Sequence, residues 1–316
     1  MPGTPPARYA YLGPPGTFAE GALRTIAAAA RGELQPYATI PATLEAVRRG
    51  DADHAMVPVE NSVEGSVSVT LDELATGAPL MVTREVLLPV TFALLARPGT
   101  ALTGIRSVAT HPHAAAQCRR WLETVLPGAT VLPAHSTAAA AAALADGTAG
   151  HDAAIASTSA AGAYRLQVLA DDIADDGGAV TRFLLVARPA PPPGPTGCDK
   201  TSLVAVTEDR PGALQAVLEE FVVRRINLTR IESRPTGERL GTYSFTIDCE
   251  GHVDDVSVGD AIAGLRRQCL GVRFLGSYPR ALPPDEAAVA AKAWRERELT
   301  YRDAVSWVSR LRAGRF

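Results

Sequence analysis

The chain has 316 residues, of which 47% are hydrophobic, enough to fill the cores of two or three domains. A formal net charge of −3 and an isoelectric point near 6.1 give no reason to expect a nucleic-acid partner. Four widely spaced cysteines without a CxxC pair favour a reducing compartment over a zinc or disulfide motif. Residues 1–8 lack the apolar core of a signal peptide, and no apolar run approaches the roughly 18 residues of a membrane helix. We therefore expect a cytoplasmic protein without a membrane partner.

The first part of the chain alternates short apolar strands with helices. Residues 9–12 predict a buried strand that ends at the glycine-proline loop 13–16, and Thr17 with Glu20 forms a capping box for the next helix. Further strands are predicted at 34–37, 55–59, 86–97, 107–110 and 153–156, and helices at 43–49, 117–122, 137–144 and 157–164. This order indicates an α/β fold, in which helices wrap parallel-rich sheets.

Five prolines within residues 189–195 predict a stiff linker between two domains. Beyond it, four strands and two helices follow in the βαββαβ order of a ferredoxin-like sandwich. The strands are predicted at 201–206, 228–233, 242–249 and 272–277, and the helices end near 225 and 268. Residues 287–311 predict an amphipathic helix whose apolar side chains, Trp294, Leu299, Trp307 and Leu311, pack on a neighbour. The predicted domains are residues 1–188 and 198–280, joined by a linker at 189–197 and followed by a helical extension at 281–316.

Polar side chains cluster at strand ends and loops of the first domain. The clusters are Gly16 and Thr17, then Glu60, Asn61 and Ser62, then Thr110 with Gln117, and finally Thr181 and Arg182 before Phe183. One such cluster alone is best interpreted as a solvated loop. Ligands of open α/β sheets bind at the carboxyl ends of the strands, so several clusters together favour a site. Threonine can donate a hydrogen bond, and arginine can hold a carboxylate with two.

Three other kinds of site are not favoured. The glycine loop lacks the lysine of a phosphate-binding P-loop. His111 and His113 are separated by a proline and have no third ligand nearby in the sequence, which argues against a metal. A G-x-S-x-G nucleophile turn is absent where a strand would have to meet a helix.

The polar motifs resemble, in order, those of the prephenate dehydratase family: residues 11–18, 57–65, 110–112 with Gln117, and 181–183. Residues 212–214 and 232–235 resemble the two regulatory motifs of its C-terminal ACT domain. The sequence departs at Pro15, where an acidic residue is usual, and at Thr110 and His113, which replace a common serine and glutamine. The resemblance spans roughly residues 9–278. It implies a two-lobed catalytic domain like that of periplasmic binding proteins, followed by the ACT domain. Because no chorismate mutase domain precedes the loop, we expect the monofunctional form.

The resemblance implies a carbon–oxygen lyase that decarboxylates and dehydrates prephenate to phenylpyruvate, in phenylalanine synthesis, without a cofactor or metal. It assigns catalysis to Thr181, Arg182, Asn61, Ser62, Thr110 and Gln117, and substrate binding to Gly16, Thr17, Glu60 and Phe183. We expect Thr181 to assist the leaving hydroxyl and Arg182 to hold the side-chain carboxylate. Arg182 is not expected to hold the ring carboxylate that leaves as carbon dioxide, because tight binding of that group in the bound substrate would raise the barrier to reaction.

The resemblance also implies feedback by L-phenylalanine at an interface between ACT domains, and hence a homodimer or homotetramer. The implied effector residues are Gly212, Ala213, Leu214, Asn227, Glu232, Ser233, Arg234 and Pro235. Two alternatives remain open. The chain could be an arogenate dehydratase, whose substrate differs only at the keto or amino carbon. It could also be a non-catalytic sensor of amino acids or small acids, since two α/β lobes with a cleft describe solute receptors too.

Overall fold

The computed structural model describes residues 5–148, 150–235 and 242–315. The strands, in chain order, are β1 Arg8–Leu12, β2 Glu33–Tyr37, β3 His54–Asn61, β4 Gly65–Ser66, β5 Met81–Pro89, β6 Ala93–Ala96, β7 Ser107–Thr110, β8 Thr130–Pro133, β9 Ala153–Ala156, β10 Gln167–Ala170, β11 Val180–Ala187, β12 Asp199–Glu208, β13 Leu228–Pro235, β14 Thr242–Glu250 and β15 Gly271–Pro279. The helices are α1 Phe18–Arg24, α2 Ile40–Arg49, α3 Ser68–Thr76, α4 Pro112–Gln117, α5 Arg119–Val125, α6 Thr137–Ala145, α7 Thr158–Tyr164, α8 Ala213–Val222, α9 Val256–Gln268 and α10 Pro284–Arg312.

The first sheet has the strand order β2-β1-β3-β11-β5, and β4 pairs with the end of β3. Strand β1 runs parallel to both β2 and β3. The central residues of β1, Tyr9 to Tyr11, are buried, as expected for a strand covered on both faces. The carboxyl ends of β1 and β3 therefore lie at the same edge of the sheet.

The second sheet has the order β10-β6-β9-β7-β8. Strand β7 runs parallel to both β8 and β9, whereas β6 runs antiparallel to β9. Alternate residues of β6 pack into two different hydrophobic clusters. Leu94 and Ala96 belong to one, and Ala93 and Leu95 to the other. Because successive strand residues face opposite sides, both faces of this sheet are covered, which confirms the predicted α/β class.

The third sheet is antiparallel, in the order β13-β14-β12-β15. Its elements follow the chain as β12, α8, β13, β14, α9, β15, which confirms the predicted βαββαβ arrangement. Leu203 and Ile247 of the sheet pack with Phe221 of α8 and Leu265 of α9 in one core cluster.

Internal contacts divide the described residues into two units. The first comprises the residues up to Thr70 together with Val86–Leu184, and the second comprises Leu71–Glu85 together with the residues from Leu185 onward. We call the parts of the first unit built on the first and second sheets the first and second lobes. Between β5 and β6, and again between β10 and β11, the chain crosses from one lobe to the other, and the Val90 amide donates to the Ala179 carbonyl at 2.7 Å.

Within the second unit, residues 71–85 pack against the third sheet. The Lys200 ammonium lies 2.8 Å from the Glu85 carboxylate, and both side chains are buried. At Gly276, an added Cβ would collide with the carbonyl oxygen of Val82, so this approach needs glycine. Residues 71–85 thus belong, by contacts, with the antiparallel sheet. The domain boundaries expected from the sequence stay predictions.

Helix α10 packs along only its first half. The Trp294 ring is buried and its Nε1 donates to Asp255 at 2.8 Å, and the buried Glu298 carboxylate accepts from both the amide and the hydroxyl of Ser257. Leu299 and Trp307, which we expected to pack on a neighbour, are exposed. In the described ranges, no helix combines the length and the apolar character needed to cross a bilayer.

Several short elements were missing from the sequence prediction: β4, α3, β8 and β10. The apolar run at 86–97, predicted as one strand, is two strands in different sheets. Its middle, residues 90–92, carries the chain from one lobe to the other.

Candidate active site

A cavity of about 510 Å³ lies between the two lobes of the first unit, within the usual range for small-molecule sites. Its apolar lining includes Leu12, Phe18, Val90, Phe92 and Phe183. Polar side chains reach it from both lobes: Thr17, Asn61, Glu64, Ser66 and Thr181 from the first, and His111, His113, Gln117, His135, Ser136 and Thr137 from the second.

Thr181 and Asn61 form the centre of the polar lining. The Asn61 Nδ2 donates to the Thr181 Oγ1 at 2.8 Å. The Asn61 Oδ1 in turn accepts from the amides of Val63 and Glu64, at 2.8 and 3.1 Å. These amides fix which way the Asn61 amide points. A hydroxyl that accepts from Asn61 keeps its own hydrogen for another acceptor, so Thr181 can donate to a bound ligand.

Thr17 is held by its own helix start. Its hydroxyl donates to the Leu12 carbonyl at 2.8 Å and accepts, at 3.5 Å, from the Glu20 amide, which confirms the predicted N-cap of α1. The cavity thus brings together five of the residues expected from the sequence: Thr17, Asn61, Gln117, Thr181 and Phe183.

Three other expected site residues lie outside the cavity lining and contact the backbone of neighbouring strands and loops. The Thr110 hydroxyl is fully buried and donates to the Ile155 carbonyl at 2.8 Å. Ser62 ties β3 to β11, since its amide donates to the Val180 carbonyl and its hydroxyl accepts from the Val180 amide. Gly16 has φ +83°, and an added Cβ would lie 2.8 Å from the Ala160 Cα, so the loop needs glycine there. Their expected direct roles stay predictions.

Arg182 and Glu60 also lie away from the lining. Thr181 and Phe183 face the cavity, and because strand side chains alternate, Arg182 between them faces the other side of β11. The Arg182 side chain is buried, and its Nη1 lies 3.9 Å from the Glu60 Oε2. The predicted contact of Arg182 with a substrate carboxylate stays untested.

Three histidines line the cavity, and the sequence analysis gave none of them a role. His111 caps α4: its Nδ1 accepts the His113 amide hydrogen at 3.3 Å. Burial lowers the pKa of His111 and the neighbouring His113 lowers it further, while Glu64 raises it. Because Nδ1 accepts a hydrogen bond, the neutral form of the ring carries its proton on Nε2. The His113 Nδ1 lies 3.2 Å from the Glu64 Oε2. His135 precedes Ser136, the N-cap of α6, at the end of β8. The same strand-end rule would have found it had β8 been predicted.

The expected effector residues occupy different parts of the second unit. Gly212, with φ +80°, is the N-cap of α8, and it lines a surface cavity of about 690 Å³ with Ala213 and the partly exposed Leu214. Glu232, Ser233, Arg234 and Pro235 end strand β13. Pro235 of β13 pairs with Tyr243 of β14, and Tyr243 pairs with Thr207 near the end of β12. The end of β13 and the end of β12, each beside one of the two motifs, are therefore two strand spacings, about 10 Å, apart. Asn227 lies at the other end of β13, where its carbonyl accepts from the Glu250 amide.

The described ranges contain no group of three or more histidine, cysteine, aspartate or glutamate side chains arranged to hold a metal ion. The cavity lining offers hydroxyl, amide, imidazole and carboxylate groups.

The sequence and the structure are similar to known proteins along most of the chain. Family models described as "Prephenate dehydratase" and "ACT domain" match residues 9–191 and 201–267. A prephenate dehydratase of Amycolatopsis methanolica is 51% identical over 309 residues, covering 98% of this chain and 99% of the relative. The crystal structure of an Arthrobacter aurescens prephenate dehydratase in complex with L-Phe has a TM-score of 0.83 and 48% identity, covering 93% of this chain and all of that one. A structure described as GqqA, a novel type of quorum quenching acylase, has a TM-score of 0.78 and 30% identity, covering 88% of this chain and 99% of that one. With matches of this extent in the cavity-bearing part and in the antiparallel part, the chain belongs to the prephenate dehydratase family and carries an ACT domain.

Proposed function

We propose that the cavity converts prephenate to phenylpyruvate, and that Thr181 assists the departure of the hydroxyl group. The bond between the ring and its carboxylate breaks, the carboxylate leaves as carbon dioxide, and its electron pair enters the ring. The ring expels the hydroxyl at the opposite carbon, which takes up one proton and leaves as water. The ring becomes aromatic, so the electrons end within the product and no external oxidant or reductant is needed.

The hydrogen bond from Asn61 to Thr181 is the observation that carries this proposal. It uses one lone pair of the Thr181 oxygen and leaves the hydroxyl hydrogen for the departing group. Charge develops on that group only as its bond to the ring breaks. A donor aimed there stabilises the transition state more than the bound substrate, which is the condition for catalysis. Because a threonine hydroxyl is a weak acid, Thr181 acts as a hydrogen-bond donor or as part of a relay.

The rest of the lining suits this substrate. Phe18, Phe92 and Phe183 offer apolar contact to a six-membered ring, and Gln117 offers hydrogen bonds to its polar substituents. The carboxylate role expected for Arg182 is not supported by its position on the other side of β11. It stays a prediction that the kinetics of Arg182→Lys test, since lysine keeps the charge but loses the bidentate fork.

We also propose that L-phenylalanine binds the ACT domain. The relative from Arthrobacter aurescens is described as a complex with L-Phe, which supports L-phenylalanine as the effector. Gly212 and the exposed Leu214 lie beside a cavity with apolar walls, and the separate strand β13 carries Glu232 and Ser233. Because the ends of β12 and β13 beside the two motifs lie about 10 Å apart in one sheet, a second copy of the chain would complete a site between the motifs. The proposed assembly is therefore a homodimer or a homotetramer.

The experiment is to incubate the purified full-length chain with prephenate and to follow phenylpyruvate by its ultraviolet absorbance. We expect turnover without any added cofactor, inhibition by L-phenylalanine, and preference for prephenate when arogenate competes. Binding of prephenate without turnover would instead favour the sensor interpretation, and faster conversion of arogenate would reassign the substrate. Failure of L-phenylalanine both to bind and to change the rate would defeat the effector proposal alone.

A further inference from the structure

A chain of contacts runs across the cavity from Thr181 in the first lobe to His111 in the second. It starts with the hydrogen bond from Asn61 to Thr181 and continues through the amide of Glu64, which Asn61 holds. The Glu64 carboxylate then lies 3.2 Å from the His113 ring, and the His113 amide donates to His111. All five residues line the cavity.

The contact between Glu64 and His113 joins the two lobes directly. Glu64 follows β3 of the first sheet, and His113 lies in the first turn of α4, after β7 of the second sheet. About 61% of the His113 side chain and 35% of the Glu64 side chain are exposed, which places the pair where the cavity meets solvent. Among the described lining residues, Glu64 is the one carboxylate, and the lining contains no lysine or arginine.

We propose that Glu64 and His113 form a clasp across the mouth of the cavity, which retains the substrate and positions Asn61. This proposal rests on the function proposed above and adds two positioning residues to that site. When the imidazole is protonated, the clasp is an ion pair; when it is neutral, the clasp is at most a hydrogen bond. A histidine changes its charge in the physiological pH range, so the clasp weakens as pH rises.

The groups that face His113 set the direction of this pH dependence. The Glu64 carboxylate lies against the His113 ring. The His111 ring, whose centroid lies 4.8 Å away, packs edge-to-face on the same ring. Burial and the neighbouring His113 both lower the pKa of His111. His135 lines the same cavity just before α6, apart from the pair of Glu64 and His113, and supplies a matched control.

The size of the expected effect follows from the exposure of the pair. Exposed ion pairs are weak, so we expect removal of the clasp to raise KM for prephenate about two- to fivefold. The turnover number should change less, because both substitutions leave the Thr181 hydroxyl itself unchanged. Glutamine is a conservative replacement for His113, since its side-chain amide keeps a hydrogen-bonding group and carries no charge.

The test is a double-mutant cycle with Glu64→Gln, His113→Gln and the double variant, measured with prephenate between pH 5.5 and 8.5. We expect each single variant to raise KM at low pH, the double variant to add nothing further, and the three to converge with the wild type at high pH. Additive effects of the two substitutions would overturn the clasp, because independent sites add. An equal shift of the pH profile in His135→Gln would also overturn it, since the effect would then come from any histidine in the cavity.

A second measurement does not depend on turnover. Hydrogen exchange of the peptide that spans residues 60–67 reports on the Val63 and Glu64 amides, which Asn61 protects. We expect faster exchange in His113→Gln than in the wild type at pH 6, and no change in His135→Gln. Unchanged exchange in His113→Gln would refute the positioning of Asn61. A wild-type protein with no dehydratase activity would defeat the proposed function, and this exchange measurement would still decide about the clasp.

Discussion

Replacing Thr181 by valine isolates the hydroxyl that the proposed reaction depends on. Valine keeps the branched shape, and the site is 92% buried in a strand, where valine is well tolerated. The substitution removes the donor to the leaving group and leaves the Asn61 Nδ2 without its acceptor. Loss of one neutral hydrogen bond costs about 0.5–1.5 kcal/mol, which is at most roughly a tenfold change in rate. Loss of acid assistance costs about 10²- to 10⁴-fold.

The two magnitudes separate the interpretations. We expect Thr181→Val to lower kcat at least about a hundredfold with a smaller change in KM, since the hydroxyl acts mainly in the transition state. Thr181→Ser, which keeps the donor, should stay within about tenfold of the wild type. The assay is phenylpyruvate formation under saturating prephenate, after thermal unfolding has shown that each variant is folded.

Ser62→Ala is a matched control for that comparison. Ser62 is a hydroxyl residue next to Asn61, but it pairs with the backbone of Val180 and does not line the cavity. Its kcat should change only a few-fold. A Thr181→Val variant that loses less than tenfold in kcat, or no more than Ser62→Ala, would refute the donor role and leave Thr181 as a structural partner of Asn61.

Three further predictions concern regulation, pH and thiol reactivity. Arg234 of the β13 motif donates to Asp72 of α3 at 2.7 and 3.0 Å, so Asp72→Asn should raise the phenylalanine concentration for half-inhibition several-fold, and leave kcat without effector unchanged. Hydrogen bonds, first from the Arg106 amide and then from the serine that follows it, lower the pKa of Asp152. These hydrogen bonds therefore stabilise the folded protein at pH values above the pKa that Asp152 has in the unfolded chain. This stabilisation is lost as the pH falls through the lower pKa of Asp152 in the folded protein. Asp152→Asn should unfold about 1 kcal/mol more easily at pH 7, and denaturant titrations at decreasing pH should show the difference disappearing. Burial raises the pKa of the Cys118 thiol to about 12, so a thiol reagent at pH 8 should modify it only after unfolding.

Chain order and strand ends singled out several residues that the structure brings together in one cavity. Asn61 follows a predicted strand, Thr181 stands at a strand entry and Gln117 lies in the helix after the predicted strand 107–110, and the structure brings all three to one cavity. The prediction did not use the alternation of strand side chains, which already separates Thr181 from Arg182. Applied to residues 180–183, that rule places one of the two neighbours on the cavity side and the other on the opposite side.

Other site features depend on contacts that a sequence pattern does not encode. Thr110 stands at a strand end, yet its hydroxyl is consumed by the carbonyl of Ile155, 45 residues away. Strand β8 is short and partly exposed, so its pattern resembles a loop, and the residues after it, including His135, were missed. The pairing of Glu64 with His113 exists only because two sheets bring their loops together.

The packing of residues 71–85 against the antiparallel sheet limits how the protein can be taken apart. Cleavage at the proline run would leave Glu85 behind and remove the Lys200 ammonium and the Ala281 amide, both of which bind its carboxylate. Loss of one member of a buried ion pair costs about 3–5 kcal/mol, a large part of the stability of an ordinary domain. The same cut removes Arg273, which caps the carbonyls of Leu74 and Gly77. The activity of a truncated enzyme would therefore reflect the destabilisation of residues 71–85 as well as the loss of regulation. For the same reason, an exchange of the regulatory domain between relatives has to include residues 71–85.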